Sequence, residues 1–162
     1  MYDIYLSMGC RILPDFKDLL QEASILTDPA VITQILQRSP GPGFLGLDLN
    51  RQVAGTLLQL LKSTKASGYI VDAAYRKPSI TIEQATAIAE HAITELQATR
   101  FSDTTFNPIH FEREQPVCWT FCAVSEQWVK KGLIPGALYV SVDKLDGHVW
   151  QPEEFDRLRG EA

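Results

Sequence analysis

Two side chains that can bind a metal ion, His110 and Glu112, lie two positions apart in the sequence. Successive residues of a strand point to opposite faces, so a strand here would place both on one face. Glu114 or His148 could then supply a third ligand. Structural zinc usually takes four ligands, often cysteine and histidine at short spacing, and that pattern is absent. A solvated polar strand face is the simpler interpretation, so the sequence predicts no metal and no cofactor.

A nucleophile and a base are available in Cys118 and His110. Such a pair has to be close in the fold and needs an oxyanion site as well. Small side chains that fill a sheet face explain the pattern better, so we predict no catalytic residue. The segment Asp143–Gly147 has spaced carboxylates but lacks the remaining ligands of an EF-hand. It predicts a hairpin turn with Gly147 at its left-handed position.

Composition and charge restrict the class of protein. The chain has 162 residues, of which 45% are hydrophobic and 22% are charged, as in ordinary globular proteins. No apolar run approaches the roughly 20 residues of a membrane span, and the first residues lack a basic segment. We therefore expect a cytoplasmic protein without membrane contact.

The negative charge is concentrated in the second half of the chain. Residues 79–162 carry 7 basic and 13 acidic side chains, a net charge of −6. Nucleic-acid binding needs a basic surface, so this half is not expected to bind it. A cationic protein partner is compatible with this charge.

The first 77 residues are predicted to be mainly helical. Candidate helices cover Asp15–Ser24, a segment from Thr27 to about Arg38, and a leucine-rich segment that begins near Arg51 and stops at Gly68. The best candidate junction is Arg76-Lys77-Pro78. We expect the N-terminal helices to pack on the C-terminal half of the chain, so that the two halves form one cooperative unit.

Residues 78–162 are predicted to form a helix packed on a three- to four-stranded antiparallel sheet, which makes the fold class α+β. Thr81 and Gln84 fit a capping box at the start of the helix. Trp119 and Phe121 alternate with Cys118, Thr120 and Cys122, which predicts that the helix covers the aromatic face of the sheet. The strands are predicted at Phe106–Glu114, Val117–Val124 and Leu138–Val142, with a fourth at His148–Trp150.

This half of the chain resembles two groups of small helix-plus-sheet modules, the Immunity protein 35 family of bacterial toxin-immunity proteins and the PepSY domain. The resemblance covers Thr81–Trp150. It rests on the helix start Glu83-Gln84-Ala85…Ile88-Ala89, the strand with Trp119 and Phe121, the loop segments Ser125–Trp128 and Gly136–Leu138, and the ending Val142-Asp143…Gly147-His148-Val149. It implies a cystatin-like or PepSY-like fold that binds a protein and carries no catalytic residues.

The predicted function is therefore that of a non-enzymatic protein-binding module, in particular an immunity-type inhibitor of a bacterial toxin with a cationic toxin domain as partner. A small hydrolase or transferase using a Cys/His pair is one alternative. A structural or regulatory subunit that forms a homodimer through its sheet is another. The predicted partner-binding residues are Glu112, Glu114, Trp128, Tyr139 and Asp143.

Overall fold

The computed structural model describes residues 1–7, 32, 33, 35, 37, 41–63 and 65–155. The chain divides into two compact units, Met1–Arg76 and Lys77–Glu161. The predicted helix at Asp15–Ser24 lies outside the described residues. So does most of the next one, of which only residues 32, 33 and 35 are described as helical. That the two units unfold cooperatively stays a prediction.

The first unit contains a three-stranded antiparallel sheet that the sequence did not predict. Its strands are β1 (Tyr2–Leu6), β2 (Gly43–Phe44) and β3 (Gly68–Asp72), in the order β2-β1-β3. β1 pairs with β3 across more than 60 intervening residues, from Tyr2↔Asp72 to Leu6↔Gly68. The prediction of a mainly helical N-terminal part did not include these strands, because strands this short are recognised by their distant partners rather than by a local pattern. That residues 1–77 are mainly helical stays a prediction.

The leucine-rich helix is α1 (Arg51–Ser63), and it ends five residues before Gly68. Asn50 caps it, since its side-chain oxygen accepts a hydrogen bond of 2.9 Å from the Val53 backbone nitrogen. Gly68 begins β3 instead of ending the helix. Glycine is favoured at this position because a Cβ there would lie 2.6 Å from the Tyr5 carbonyl oxygen. β3 is followed by a 3₁₀ turn, Ala73–Arg76, so the ambiguous segment after Gly68 is strand and then helix. The core of this unit combines α1 with the sheet and includes Ile4, Leu6, Leu57, Leu58 and Leu61.

The second unit begins with the long helix α2 (Ile82–Arg100), as the sequence predicts. Thr81 caps its first turn, and Gln84 completes the capping box by accepting a hydrogen bond of 2.9 Å from the Thr81 backbone nitrogen. Small residues on one face, Ala85 and Ala89, are fully buried. They allow close packing of the helix on the sheet.

The sheet of this unit has the order β4-β5-β6 and is antiparallel throughout. Its strands are β4 (His110–Glu114), β5 (Cys118–Val124) and β6 (Ala137–Asp143), and a short helix α3 (Glu126–Lys130) connects β5 to β6. After the turn at Gly147, a bridge between Val142 and Val149 extends the sheet by one short segment. The α+β fold class is confirmed.

The predicted faces of β5 are also confirmed. Trp119 and Phe121 are buried in the core against α2, together with Val140 and Val142 of β6. The alternate residues, Cys118, Thr120 and Cys122, lie on the other face and are also buried. The strand predicted at Phe106–Glu114 is shorter than expected, because pairing begins only at His110.

Candidate functional site

A row of three side chains crosses the sheet face that points away from α2. His110 of β4 lies directly opposite Cys122 of β5, which in turn lies opposite Tyr139 of β6. Direct neighbours in adjacent strands have Cβ atoms about 4.5–5.5 Å apart, so their side chains are in reach of each other. The pairing of the strands therefore assembles an imidazole, a thiol and a phenol on one face.

Glu112 lies beside this row, at a β-bulge of β4. Phe111 pairs with Phe121 and Arg113 with Thr120, so Glu112 is the extra residue in β4. Its carboxylate oxygen Oε2 lies 3.5 Å from Nε2 of His110. The potential ligand atoms of His110, Glu112 and Cys122 all lie within 4.8 Å of one another. The prediction that His110 and Glu112 share a face is confirmed, and the third potential ligand is Cys122 rather than Glu114 or His148.

The cysteine of this cluster lies just beneath the surface. Cys122 is only 3% exposed, while the side chains of His110 and Glu112 beside it are 53% and 41% exposed. Burial and, to a smaller extent, the charge of Glu112 raise the pKa of the Cys122 thiol. A hydrogen bond from the Tyr139 hydroxyl lowers this pKa, but by less than burial raises it. Without a bound cation the sulfur therefore carries its proton at neutral pH.

Cys118 is not brought to His110. It lies opposite Asp143, four residues before Cys122 and thus about 13 Å away along the strand. Its sulfur donates to Oε1 of Gln115 at 3.4 Å, and burial raises the pKa of the Cys118 thiol to about 11. The Cys118–His110 pair considered from the sequence is therefore not formed, and the hydrolase or transferase alternative itself stays a prediction.

Glu114 lies on the opposite face from Glu112, contrary to the sequence prediction. The bulge shifts the alternation, so Glu114 pairs with Trp119. Its carboxylate accepts a hydrogen bond of 2.6 Å from Nζ of Lys144, a side chain that is only 4% exposed. The same ammonium lies 5.2 Å from the centre of the Trp119 ring. Glu114 thus stabilises a buried lysine on the α2 side of the sheet.

Asp143 is buried as well, at 4% exposure. One carboxylate oxygen accepts a hydrogen bond from the Leu145 backbone nitrogen at 2.7 Å, and the other accepts one from Nε1 of Trp150 at 3.0 Å. Both bonds hold the turn around Gly147, in agreement with the hairpin interpretation of this segment. A residue with this burial does not present its carboxylate to a partner, so Asp143 is removed from the predicted surface.

Trp128 belongs to a cluster of three aromatic rings. Its ring makes edge-on contacts with Phe101, at 5.2 Å between centroids, and with Phe106, at 5.1 Å. Phe101 is the residue that ends α2, so the cluster joins α3 to the end of the long helix. Of the five predicted contact residues, only Glu112 and Tyr139 lie together and exposed on one face.

An exposed apolar surface at the end of α3 and in the loop that leads to β6 was not predicted from the sequence. It consists of Val129, Leu133 and Ile134, which are 57%, 51% and 96% exposed, and is called the apolar loop below. A usable signal was present, because Leu133 and Ile134 lie between Gly132 and Pro135 in a segment of turn residues.

No protein-family model matches this sequence, and neither a curated protein nor a solved structure shows significant similarity to it. The resemblance to the Immunity protein 35 family or to a PepSY domain therefore stays a prediction. Among the described residues, no helix has the length and apolar character needed to cross a bilayer.

Proposed function

We propose that this chain is a protein-binding module whose contact surface is the apolar loop. The observation that supports the proposal is the 96% exposure of Ile134, flanked by the half-exposed Leu133 and Val129. Large aliphatic side chains that are exposed together commonly mark interaction sites. Burying the side chain of Ile134 alone would contribute about 1.5–3 kcal/mol to binding.

The apolar loop is held in place by its own hydrogen bonds. The backbone nitrogen of Leu133 donates to the carbonyl of Trp128 at 3.0 Å, and that of Gly136 donates to the carbonyl of Leu133 at 3.0 Å. Ser125 caps α3 through its side chain, and the contact of the Trp128 ring with Phe101 attaches α3 to the end of α2. A surface organised in advance loses little conformational entropy when it binds, so its apolar area contributes more fully to affinity.

The charge beside the loop suggests the chemistry of the partner. Lys130 and Lys131 are both exposed, and only Gly132 separates them from the loop residues Leu133 and Ile134. A partner with an apolar pocket and an acidic rim would complement this surface. The cationic partner expected from the net charge of −6 of residues 79–162 stays a separate prediction.

The immunity-type inhibitor is the narrower form of this proposal. It adds that the partner is a toxin, and it is supported only by the resemblance to the Immunity protein 35 family. Recovery of a toxin as the specific partner of the apolar loop would support the narrower form.

The proposal is tested by capture with the full chain as bait in extract of the native host. We expect a saturable partner that binds the native protein and is lost with Ile134→Asp. The matched control is Ile82→Asp, which places the same charge at another partly exposed isoleucine of the same unit. This control keeps its fold, because an acidic side chain is favourable in the first turn of α2.

Equal recovery with Ile134→Asp, or no saturable partner at all, would contradict the proposal. Sedimentation of the native protein at several concentrations checks the homodimer alternative. A monomer at all concentrations argues against it.

A further inference from the structure

We propose that His110, Glu112 and Cys122 bind a zinc ion at the surface of the second unit, with one coordination position left open. The three residues come from the edge strand β4 and its neighbour β5. They are separate from the apolar loop, so this inference goes beyond the proposed protein binding.

The distances suit a tetrahedral ion. In zinc sites the bonds to nitrogen, oxygen and sulfur are about 2.0–2.3 Å, which places ligand atoms about 3.3–3.8 Å apart. Nε2 of His110 and Oε2 of Glu112 already lie 3.5 Å apart. The Cys122 sulfur lies within 4.8 Å of a potential ligand atom of each of these two residues, so an approach of about 1 Å by side-chain rotation completes the triangle.

The backbone supplies this arrangement without any ligand. Cross-strand pairing sets His110 beside Cys122, and the alternation of the strand places Glu112, two residues further on, on the same face. In a regular strand, Arg113 would lie on the opposite sheet face from His110. Here Arg113 pairs with Thr120 on the His110 face, and Glu112 is the extra residue of the bulge. Bulges near sheet edges commonly aim a side chain into a functional position.

The donor set selects the class of metal. A thiolate and an imidazole disfavour calcium and magnesium, which prefer oxygen ligands. Thiolate, imidazole and carboxylate together suit zinc. Three protein ligands leave a fourth position for water or for a group from another molecule, as in zinc sites that remain open to solvent.

Tyr139 completes the surroundings of the site. Its hydroxyl donates a hydrogen bond to the Cys122 sulfur. Hydrogen bonds of this kind orient a metal ligand and tune its electron density. When zinc binds, the Cys122 S–H bond breaks, the sulfur bonds to the ion and the proton goes to solvent.

A simple ion pair between His110 and Glu112 is the competing explanation, and it makes no use of the thiol. Binding of Co²⁺ to the full chain separates the two explanations, because a cobalt–thiolate bond produces a charge-transfer absorption in the near ultraviolet. We expect that absorption at one Co²⁺ per chain, and we expect one equivalent of Zn²⁺ to displace it.

The variants assign the ligands. We expect Cys122→Ser to abolish the absorption, and His110→Ala and Glu112→Gln each to weaken Zn²⁺ binding roughly tenfold or more, the scale seen for support residues of zinc sites. The matched controls Cys118→Ser, on the same strand face, and Glu114→Gln, on the same strand, should retain native affinity. Cys10→Ser controls for the third thiol of the chain.

Thermal unfolding provides a second readout that does not depend on colour. A ligand that binds only the folded state raises the Tm, so Zn²⁺ should raise the Tm of the native protein and of Ile134→Asp but not of Cys122→Ser. Absence of Zn²⁺ binding would overturn the proposal. So would an absorption that survives Cys122→Ser, or one that Cys118→Ser abolishes while the protein stays folded.

Discussion

Glu112 and Glu114 lie two positions apart in β4, yet a bulge places them on opposite faces of the sheet. Glu112 lies beside His110, whereas Glu114 pairs with Trp119 and binds Lys144. Two acidic residues that look equivalent in the sequence therefore have different roles. The first is available to a ligand, and the second offsets a buried positive charge.

This difference predicts unequal effects of two matched substitutions on stability. Glu114→Gln removes the partner of an ammonium group that is only 4% exposed at its side chain. Because Glu114 itself is largely exposed, we expect a loss of about 1–2 kcal/mol, below the range for a fully buried pair. Glu112→Gln should cost less than about 0.5 kcal/mol, as for other surface pairs.

The measurement is urea unfolding of both variants in the presence of a chelator, so that metal binding does not contribute. Equal losses for the two variants would show that the bulge does not separate the two carboxylates.

Trp119→Ala should strongly destabilise the second unit. The Trp119 side chain is 7% exposed, packs in the core against α2 and lies under the Lys144 ammonium. Removing a core aromatic costs about 3–5 kcal/mol. Denaturant unfolding monitored by circular dichroism measures the loss, with Tyr139→Ala as a half-exposed aromatic control. A loss below about 1 kcal/mol would show that Trp119 does not contribute to the core.

Gly147→Ala should lower the free energy of unfolding more than Gly132→Ala does, although both glycines have positive φ, at 77° and 71°. A left-handed conformation costs an ordinary residue about 1–2 kcal/mol. At Gly132 no atom lies within 4 Å of an added Cβ, whereas at Gly147 the added Cβ would lie 2.8 Å from Cδ1 of Ile88. The difference between the two losses of unfolding free energy, measured by urea unfolding, is therefore the cost of the close contact with Ile88.

Ile88→Val isolates that contact, since it removes the single methyl group involved. In this background, the cost of Gly147→Ala should fall to that of Gly132→Ala. An unchanged cost in the Ile88→Val background would assign the effect to backbone strain alone.

The ion pair of His148 with Glu154 should make stability depend on pH. A hydrogen bond to Glu154 is the main cause that raises the pKa of His148. Nε2 of His148 lies 2.9 Å from Oε2 of Glu154. Because the folded-state pKa is raised, the stabilisation is complete below the unfolded pKa of about 6.5 and is lost as the pH rises through the folded value. The side chain is about half exposed, so we expect an effect of less than about 1 kcal/mol.

Glu154→Gln should therefore lower the free energy of unfolding more at pH 5.5 than at pH 8, and NMR titration should show a lower pKa for His148. Glu153→Gln, the neighbouring carboxylate, is the matched control and should leave the titration of His148 unchanged. A His148 pKa that does not respond to Glu154→Gln would exclude this pair as the cause.

Local sequence patterns were sufficient for the long helix and for the central strand β5. The capping box at Thr81 and Gln84 and the alternation around Trp119 depend only on neighbours within a few positions. Both features are present as predicted. The turn at Gly147 was predictable for the same reason, because a positive φ favours glycine wherever the turn lies in the fold.

The arrangement of the candidate site was not predictable in this way. No glycine or proline marks the bulge at Glu112, since it arises from the way β4 aligns with β5. The strand β1 went unrecognised for a related reason, because its main partner is β3, more than 60 residues away.

The sequence by itself determined the α+β class of the second unit, the position of its long helix and the aromatic face that the helix covers. Only the tertiary structure decided that Cys122 and not Cys118 lies beside His110, that Glu114 and Glu112 lie on opposite faces of the sheet, and that Ile134 remains exposed. The periodicity of a helix or strand is a property of neighbouring residues. The register between strands, and the surface left uncovered after packing, depend on residues far apart in the chain.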